Sequence, residues 1–251
     1  MICYHGTPFG GSKSEAAEAL VGRHALISFA APDQLDICLD VCQSICLDNG
    51  AFSAWRSGKV IDWDAYFAWA EQYVNHPRVD FAIIPDVIDG DEEANRALLD
   101  RWSDWFGADA NVFGVPVWHM NESAEKLKQL CSDYCRVAIG SSGAYSVVGS
   151  EGWHRRLNWA MKQICDERGH PKAKIHMLRG LNPEVFRHYP FASADSTNAG
   201  RNCNIDQPWK GTYAPPSPSW KARVIMARIE SENSAQSFIP QPEQLSFMEA
   251  A

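Results

Sequence analysis

Short apolar runs alternate with amphipathic segments along most of the chain. Several runs are almost continuously apolar, as parallel strands covered on both faces are. Polar or glycine-containing turns separate each run from the segment that follows it. The pattern predicts eight strands, at Ile2–His5, Ala25–Phe29, Ser44–Leu47, Phe81–Pro85, Val112–Trp118, Arg136–Ile139, Lys174–Leu178 and Phe191–Ala194.

The amphipathic segments between these runs carry helix signals. Asp62 and Asp91 stand where N-caps are expected, and Pro183 lies in the first turn of another segment, a position that proline favours. Apolar residues recur at helical spacing behind them. The predicted helices are Asp62–Asn75, Asp91–Phe106, Glu122–Cys131, Trp153–Arg168, Pro183–His188 and Trp220–Glu230.

The order of these elements predicts the fold. Alternation of strands and helices implies a parallel sheet, and eight such units in about 200 residues favour closure into a compact α/β fold, the (β/α)8 TIM barrel. We expect one barrel over residues 1–231 and a flexible, polar C-terminal tail over residues 232–251. Gly200–Ser219 is rich in Gly, Pro, Asn and Ser, which predicts a long loop.

The composition is that of an ordinary globular protein, with 45% hydrophobic and 22% charged residues. No apolar run approaches the roughly 18 residues of a membrane span. Met1–Gly11 lacks the basic start and apolar run of a secretory signal. The eight cysteines do not form the framework of a small secreted disulfide protein. We therefore expect a cytoplasmic protein with reduced thiols and no membrane partner.

The charge is unevenly distributed along the chain. The overall net charge of −8 argues against general affinity for nucleic acids. Residues 136–228, however, contain 14 Lys and Arg against 6 Asp and Glu. This segment is compatible with a phosphate-binding face, or with a solvated surface on which charges of both signs intermix in space.

Polar residues stand at the ends of most predicted strands. In a barrel the carboxyl ends of the strands converge on one mouth, so Asp48, Asp86, His119 and Asp195 are expected there, beside the turn Gly140–Gly143. Each of these residues alone is typical of a turn or a helix cap. Three carboxylates at one mouth repel one another and require a cationic substrate, a metal or protonation to compensate. As a set they are typical of an active site.

Four motifs stand at the ends of the third, sixth, seventh and eighth predicted strands. They are Asp48-Asn49-Gly50-Ala51-Phe52-Ser53, Ala138-Ile139-Gly140-Ser141-Ser142-Gly143, Met177-Leu178-Arg179-Gly180, and Asp195 with Arg201 and Asn202 following. In order and spacing they resemble the motifs of the tRNA-guanine transglycosylase superfamily. That superfamily includes the phage and bacterial enzymes that insert 7-deazaguanines into DNA. The resemblance covers roughly residues 46–202.

The resemblance implies two catalytic carboxylates. Asp195 would be the nucleophile that attacks C1′ of the target nucleotide, and Asp48 the general acid and base for the departing and incoming base. The chemistry suits carboxylates, because cleavage of an N-glycosidic bond builds positive charge on the sugar and the leaving base must be protonated. The target base must leave its stack to reach a barrel mouth.

The resemblance also implies how the base is held. Asp86 would bind the polar edge of the purine, and His119 replaces an amide-bearing residue of the family. The Gly140–Ser141 backbone would hold the exocyclic oxygen, and Phe52 and Met177 would sandwich the ring. The residues expected to bind the nucleic acid are Arg179, Arg201, Arg155, Arg156 and Lys210.

The chain departs from the tRNA-specific members of the superfamily. Those enzymes carry a zinc site of clustered Cys and His after the nucleophile strand, whereas here only Cys203 follows Asp195 and no His follows His188. We therefore predict a barrel without the zinc-binding insertion and without metal or cofactor. The loss of this insertion favours DNA over tRNA as the substrate. Guanine or a 7-deazaguanine would be the exchanged base, and duplex DNA could require a partner protein.

The same residues leave other functions open. One is the same base exchange on tRNA. A second is hydrolysis of a nucleoside or another N-glycoside, in which the carboxylates activate water. A third is a barrel that binds nucleic acid or a partner without catalysis. A fourth is a metal-dependent hydrolase with ligands among Asp48, Asp86, His119, His176 and Asp195.

Overall fold

The computed structural model describes residues 1–10, 12–88, 90–206, 209–210 and 213–240. Within these residues a single all-parallel sheet has the strand order β5-β4-β3-β2-β1-β9-β8-β7-β6. Its strands are β1 (Ile2–Gly6), β2 (His24–Ser28), β3 (Ser44–Asp48), β4 (Val79–Ile83), β5 (Gly114–Val115), β6 (Val117–His119), β7 (Arg136–Gly140), β8 (Lys174–Met177) and β9 (Ser193–Ser196).

The two edge strands of this sheet are consecutive in the chain. Only Pro116 separates β5 from β6, and proline has no N–H to donate to a neighbouring strand. β5 pairs with β4 at Ala82 and Gly114, whereas β6 pairs with β7 at Val117 and Ala138. Pro116 O accepts a hydrogen bond from Ala138 N at 2.9 Å. The sheet is therefore nearly closed into a barrel.

The prediction of one strand over Val112–Trp118 is wrong in its first two residues and in its continuity. Val112 and Phe113 belong to a short helix, and the rest of the segment is divided between β5 and β6. The division follows from Pro116, which interrupts the hydrogen-bond ladder. The other predicted strands are found, with ends shifted by a few residues.

Helices follow the strands. The predicted caps are confirmed, since Asp62 accepts from Ala65 N at 3.1 Å and Asp91 accepts from Ala94 N at 2.8 Å. The helices are α1 (Lys13–Leu20), α2 (Leu35–Val41), α3 (Ala51–Ser57), α4 (Trp63–Glu71), α5 (Glu92–Phe106), α6 (Ala110–Phe113), α7 (Ala124–Asp133), α8 (Glu151–Ile164), α9 (Pro183–Phe186), α10 (Asn198–Asn202) and α11 (Pro218–Glu230). In the described part of the chain, none of them combines the length and apolarity of a membrane-crossing helix.

Polar side chains close the barrel interior at the amino-terminal end of its strands. Asp80 on β4 accepts a hydrogen bond from Tyr4 Oη at 2.5 Å and from Arg136 at 2.9 Å. The Arg136 guanidinium lies 4.2 Å from the centroid of the Phe81 ring. Apolar side chains such as Leu26 fill the layer above them. Since this end is filled, the opposite end of the barrel is where a ligand can enter.

The segment after α11 packs against the barrel. Phe238 is buried, its N–H donates to Gly169 O at 2.8 Å, and its ring stacks on Tyr189 at a centroid distance of 6.3 Å. The polar composition predicts a loose tail from residue 232. In the structure the segment up to residue 240 is packed against the barrel, because the Phe238 ring is buried there. The rest of the predicted tail, 241–251, lies outside the described residues.

Candidate active site

A cavity of about 550 Å³ opens at the carboxyl end of the strands. It gathers nine of the residues that the sequence predicts for the site, namely Asp48, Phe52, Asp86, His119, Gly140, Ser141, Arg179, Asp195 and Arg201. A second groove of about 600 Å³ lies between α5 and α7, and none of these residues lines it. We therefore take the strand-end cavity as the candidate active site.

Asp195 stands at the carboxyl end of β9, almost fully buried in the cavity wall. Its Oδ1 accepts a hydrogen bond from Arg179 N at 2.9 Å. His176 Nε2 lies 3.4 Å from the same oxygen without forming a hydrogen bond, whereas His176 Nδ1 lies at hydrogen-bond distance, 2.8 Å, from Ser193 Oγ. Both contacts involve Oδ1 rather than Oδ2, so Oδ2 is the oxygen best placed to meet an incoming atom.

Asp48 ends β3 and is held by the turn that follows it. Its Oδ2 accepts from Gly50 N at 3.0 Å. Gly50 has φ 79°, and a Cβ there would lie 3.1 Å from Ala30 N, so the turn requires glycine. The pKa of Asp48 is raised to about 6. Burial is the largest cause, and the charge of Asp195 acts in the same direction, whereas the hydrogen bond from Ser28 opposes the shift. A carboxyl with this pKa exchanges a proton near neutral pH.

Asp86 and His119 form a buried pair across the cavity. Asn49 Nδ2 donates to Asp86 Oδ1 at 2.7 Å and to Ile84 O at 2.9 Å. His119 Nε2 lies 2.9 Å from Asp86 Oδ2, but within the described residues neither ring nitrogen of His119 forms a hydrogen bond. A ligand with both donors and acceptors can therefore still be bound here.

A buried network behind this pair was not predicted from the sequence. Asn95 on α5 accepts from Val87 N at 2.7 Å and donates to Glu122 Oε1 at 3.0 Å. Glu122 Oε2 in turn accepts from His119 N at 2.8 Å. The network ties the loop after β4 to the loop after β6, and so fixes Asp86 relative to His119. Its sequence signal is an asparagine on the apolar face of a helix.

Arg179 follows β8 in the chain, and its side chain crosses the cavity towards α3. Its guanidinium donates to Ser141 O at 2.7 Å and lies 4.0 Å from the centroid of the Phe52 ring. Burial lowers the pKa of this guanidinium, and the charges of Asp195 and Asp86 oppose that shift. Arg179 has φ 57° and is the only non-glycine residue with positive φ among those described. Such a backbone conformation is strained for a residue with a side chain.

This strain gives a testable difference between two substitutions. Arg179→Gly and Arg179→Ala both remove the guanidinium, but only glycine adopts φ 57° without strain. We expect the glycine variant to have the larger free energy of unfolding, by about 1 kcal/mol. Urea denaturation of the two variants at one pH measures this difference. Equal stabilities would mean that residue 179 leaves the left-handed region once its side chain is removed.

Met177 does not line the cavity, contrary to the predicted stacking role. Side chains alternate between the two faces of a strand, so Met177 faces away from the barrel interior, unlike His176 and Leu178. It is fully buried in the core outside the sheet, with Trp118 among its cluster. Leu178 lines the cavity in its place.

Three predicted nucleic-acid contacts also lie elsewhere. Arg155 is exposed and pairs with Glu151 at 2.7 Å, and Lys210 is exposed but does not line the cavity. Arg156 donates to Met120 O at 2.6 Å and lies 4.0 Å from the Trp159 ring, which is a structural role. The arginines that do line the cavity are Arg179, Arg201 and Arg56, the last of which was not predicted.

The cavity thus combines three carboxylates with three guanidinium groups. In the described part of the chain there is no group of three or more His, Cys, Asp or Glu side chains placed to hold a metal ion. Comparison of the chain with protein families, curated proteins and solved structures finds no match.

Proposed function

We propose that this protein is a transglycosylase that exchanges a guanine in DNA for a 7-deazaguanine. The proposal includes a (β/α)8 architecture, in which β5 and β6 are one strand interrupted at Pro116. The observation that carries it is the meeting of Asp195 and Asp48 in one cavity, where Asp48 has a pKa near 6 and Asp195 is held through Oδ1. One carboxylate is then suited to attack and the other to proton transfer.

The reaction would proceed in two displacements. Asp195 Oδ2 attacks C1′ while the C1′–N9 bond to guanine breaks, and the protonated form of Asp48 gives its proton to the departing base. In the second step Asp48 takes a proton from the incoming base, whose nitrogen attacks C1′ and breaks the bond to Asp195. Each displacement inverts C1′, so the overall result is retention.

The distribution of charge in the cavity supports a nucleotide as the ligand. Asp86 and His119 form a polar inner wall that suits the donor and acceptor edge of a purine. Arg56 and Arg201 are exposed and also line the cavity, where they suit a phosphate. Reaching this cavity requires a base that has left its stack.

His176 Nε2 lies 3.4 Å from Asp195 Oδ1 without a hydrogen bond in the structure, and we expect it to donate to this oxygen and position Asp195 when the substrate is bound. Because His176→Phe fills the space without an N–H donor, it should lower kcat for base exchange by about 10- to 100-fold, with KM little changed. His176→Gln, which retains a donor, should recover part of the loss. Steady-state kinetics of the two variants test whether His176 positions Asp195. If His176 were only structural, both variants would lose folded protein to a similar extent.

The assignment is tested by incubating the protein with labelled guanine or a 7-deazaguanine and either DNA or tRNA, followed by digestion and mass spectrometry of the nucleosides. Label in DNA, absent with Asp195→Ala, is the expected result. Label in tRNA would move the proposal to that substrate. Release of base without incorporation would indicate hydrolysis instead. No label and no released base, beside an active control enzyme, would overturn the assignment.

A further inference from the structure

In the described structure the Phe52 ring face is occupied by the protein itself. The Arg179 guanidinium lies over this ring at 4.0 Å and donates to Ser141 O at 2.7 Å. Arg56 is farther from the same ring, at 5.9 Å. Phe52 is the aromatic residue that lines the cavity and Ser141 lies on its opposite wall, so Arg179 bridges the space that a flat ligand would use.

The chemistry of this contact indicates which ligand it replaces. A guanidinium is planar, carries N–H donors in a fixed fork and stacks on aromatic faces. The edge of guanine formed by N1, C2, its amino group and N3 has the same planar guanidine unit. The face of the guanine ring would stack on Phe52, and the amino group on this edge would donate to Ser141 O. This leaves N1–H and O6 for Asp86 and His119. The negative charges of Asp86 and Asp195 favour a donor-rich group at this position, and they already act on Arg179.

We infer that the space between Phe52 and Ser141 is a subsite for a planar guanidine-type edge, and that Arg179 fills it until a base displaces the guanidinium. The inference deepens the proposed function, because it names the part of the base that is recognised. The apparent affinity for the base is then the intrinsic affinity multiplied by the fraction of molecules in which Arg179 has left the subsite.

The backbone at Arg179 is suited to this exchange of occupants. Its N–H is held by Asp195 Oδ1 at 2.9 Å, so the side chain can swing away while the backbone stays in place. A substitution by glycine keeps this N–H and fits φ 57°. Arg179→Gly therefore empties the subsite without removing the hydrogen bond to Asp195.

The test is a binding measurement that does not depend on turnover. Calorimetric titration with 7-deazaguanine should give an affinity about tenfold higher for Arg179→Gly than for the unmodified protein, because a stacked cation and one hydrogen bond no longer compete. Arg168→Ala, which removes an exposed arginine from the turn before β8, is the matched control and should bind like the unmodified protein. Methylguanidinium should bind Arg179→Gly and compete there with 7-deazaguanine, but should not bind the unmodified protein. Arg179→Ala provides a second empty subsite if the glycine variant does not fold.

The outcomes separate this inference from the proposed function. Unchanged or weaker binding of 7-deazaguanine by Arg179→Gly would overturn the inference, since Arg179 would then be neutral towards the base or a contact of it. Failure of methylguanidinium to bind the variant would overturn it as well. Binding of methylguanidinium without binding of 7-deazaguanine would support the subsite and reject 7-deazaguanine as the incoming base of the proposed function.

Discussion

Asp195→Asn is expected to abolish base exchange, with a loss in kcat on the order of 10⁴-fold or more. Asparagine has nearly the same shape, and its Oδ1 can still accept the hydrogen bond from Arg179 N. What it lacks is the negative charge and the nucleophilic oxygen that would bond to C1′. Single-turnover assays with labelled base measure the loss, and the denatured protein can be examined by mass spectrometry for a covalently attached nucleotide.

The matched control for this variant is Asp80→Asn, at the opposite end of the barrel. It also removes one carboxylate, which is partly exposed and pairs with Arg136 outside the cavity. We expect it to reduce stability while leaving a covalent adduct detectable. Exchange that persists in Asp195→Asn at more than about one hundredth of the original rate would exclude Asp195 as the nucleophile.

Asp48→Asn is expected to lower kcat by about 10² to 10⁴-fold and to remove one limb of the pH–rate profile. In the unmodified protein the limb should lie near pH 6, the pKa of Asp48. Below this pH the carboxyl is a proton donor and above it an acceptor, so both half-reactions depend on it. A profile whose limb near pH 6 survives in the variant would assign that pKa to another group.

The same substitution should stabilise the protein at neutral pH. Burial raises the pKa of Asp48 from its ordinary value of 3.8 to about 6, so the folded state favours the neutral carboxyl. The contribution of the protonated Asp48 carboxyl to the free energy of unfolding is fully present below about pH 4 and is lost as the pH rises through 6. Asparagine stays neutral, so its advantage should grow from near zero at pH 4 to roughly 1–3 kcal/mol at pH 7. Urea denaturation at the two pH values measures it, and equal stabilities at pH 7 would mean that the Asp48 carboxylate is not destabilised.

Local signals in the sequence were enough to predict most of the fold. The caps at Asp62 and Asp91 form as predicted because an aspartate accepts from a backbone N–H three residues later whatever surrounds it. The interruption at Pro116 was missed, because the apolar run continues through it while the hydrogen-bond ladder does not. The short helices α1, α2 and α3 were also missed, since each is too short for a clear helical period.

The sequence predicted the carboxylates of the candidate site, but it predicted fewer of the residues that position or surround them. Asp48, Asp86 and Asp195 converge because strand ends in a parallel sheet lie at one edge. The predicted stacking residue is wrong by one position. Neighbouring residues of a strand point to opposite faces of the sheet, so Leu178 faces the cavity and Met177 faces the core outside the barrel. Glu122 and Arg56 depend on tertiary contacts, and nothing in their local sequence marks them as partners of the site. Asn95 does carry a signal, because it is an asparagine on the apolar face of a helix.

The polar cluster of Tyr4, Asp80 and Arg136 has a consequence for the order in which bases bind and leave the cavity. Because it fills the amino-terminal end of the barrel, the bases of the proposed exchange would enter and leave at the carboxyl end of the strands, one after the other. With a single Phe52 face to occupy, the second base enters after the first has left. The proposed exchange should therefore follow ping-pong kinetics, in which free guanine competes with the incoming base for the covalent intermediate.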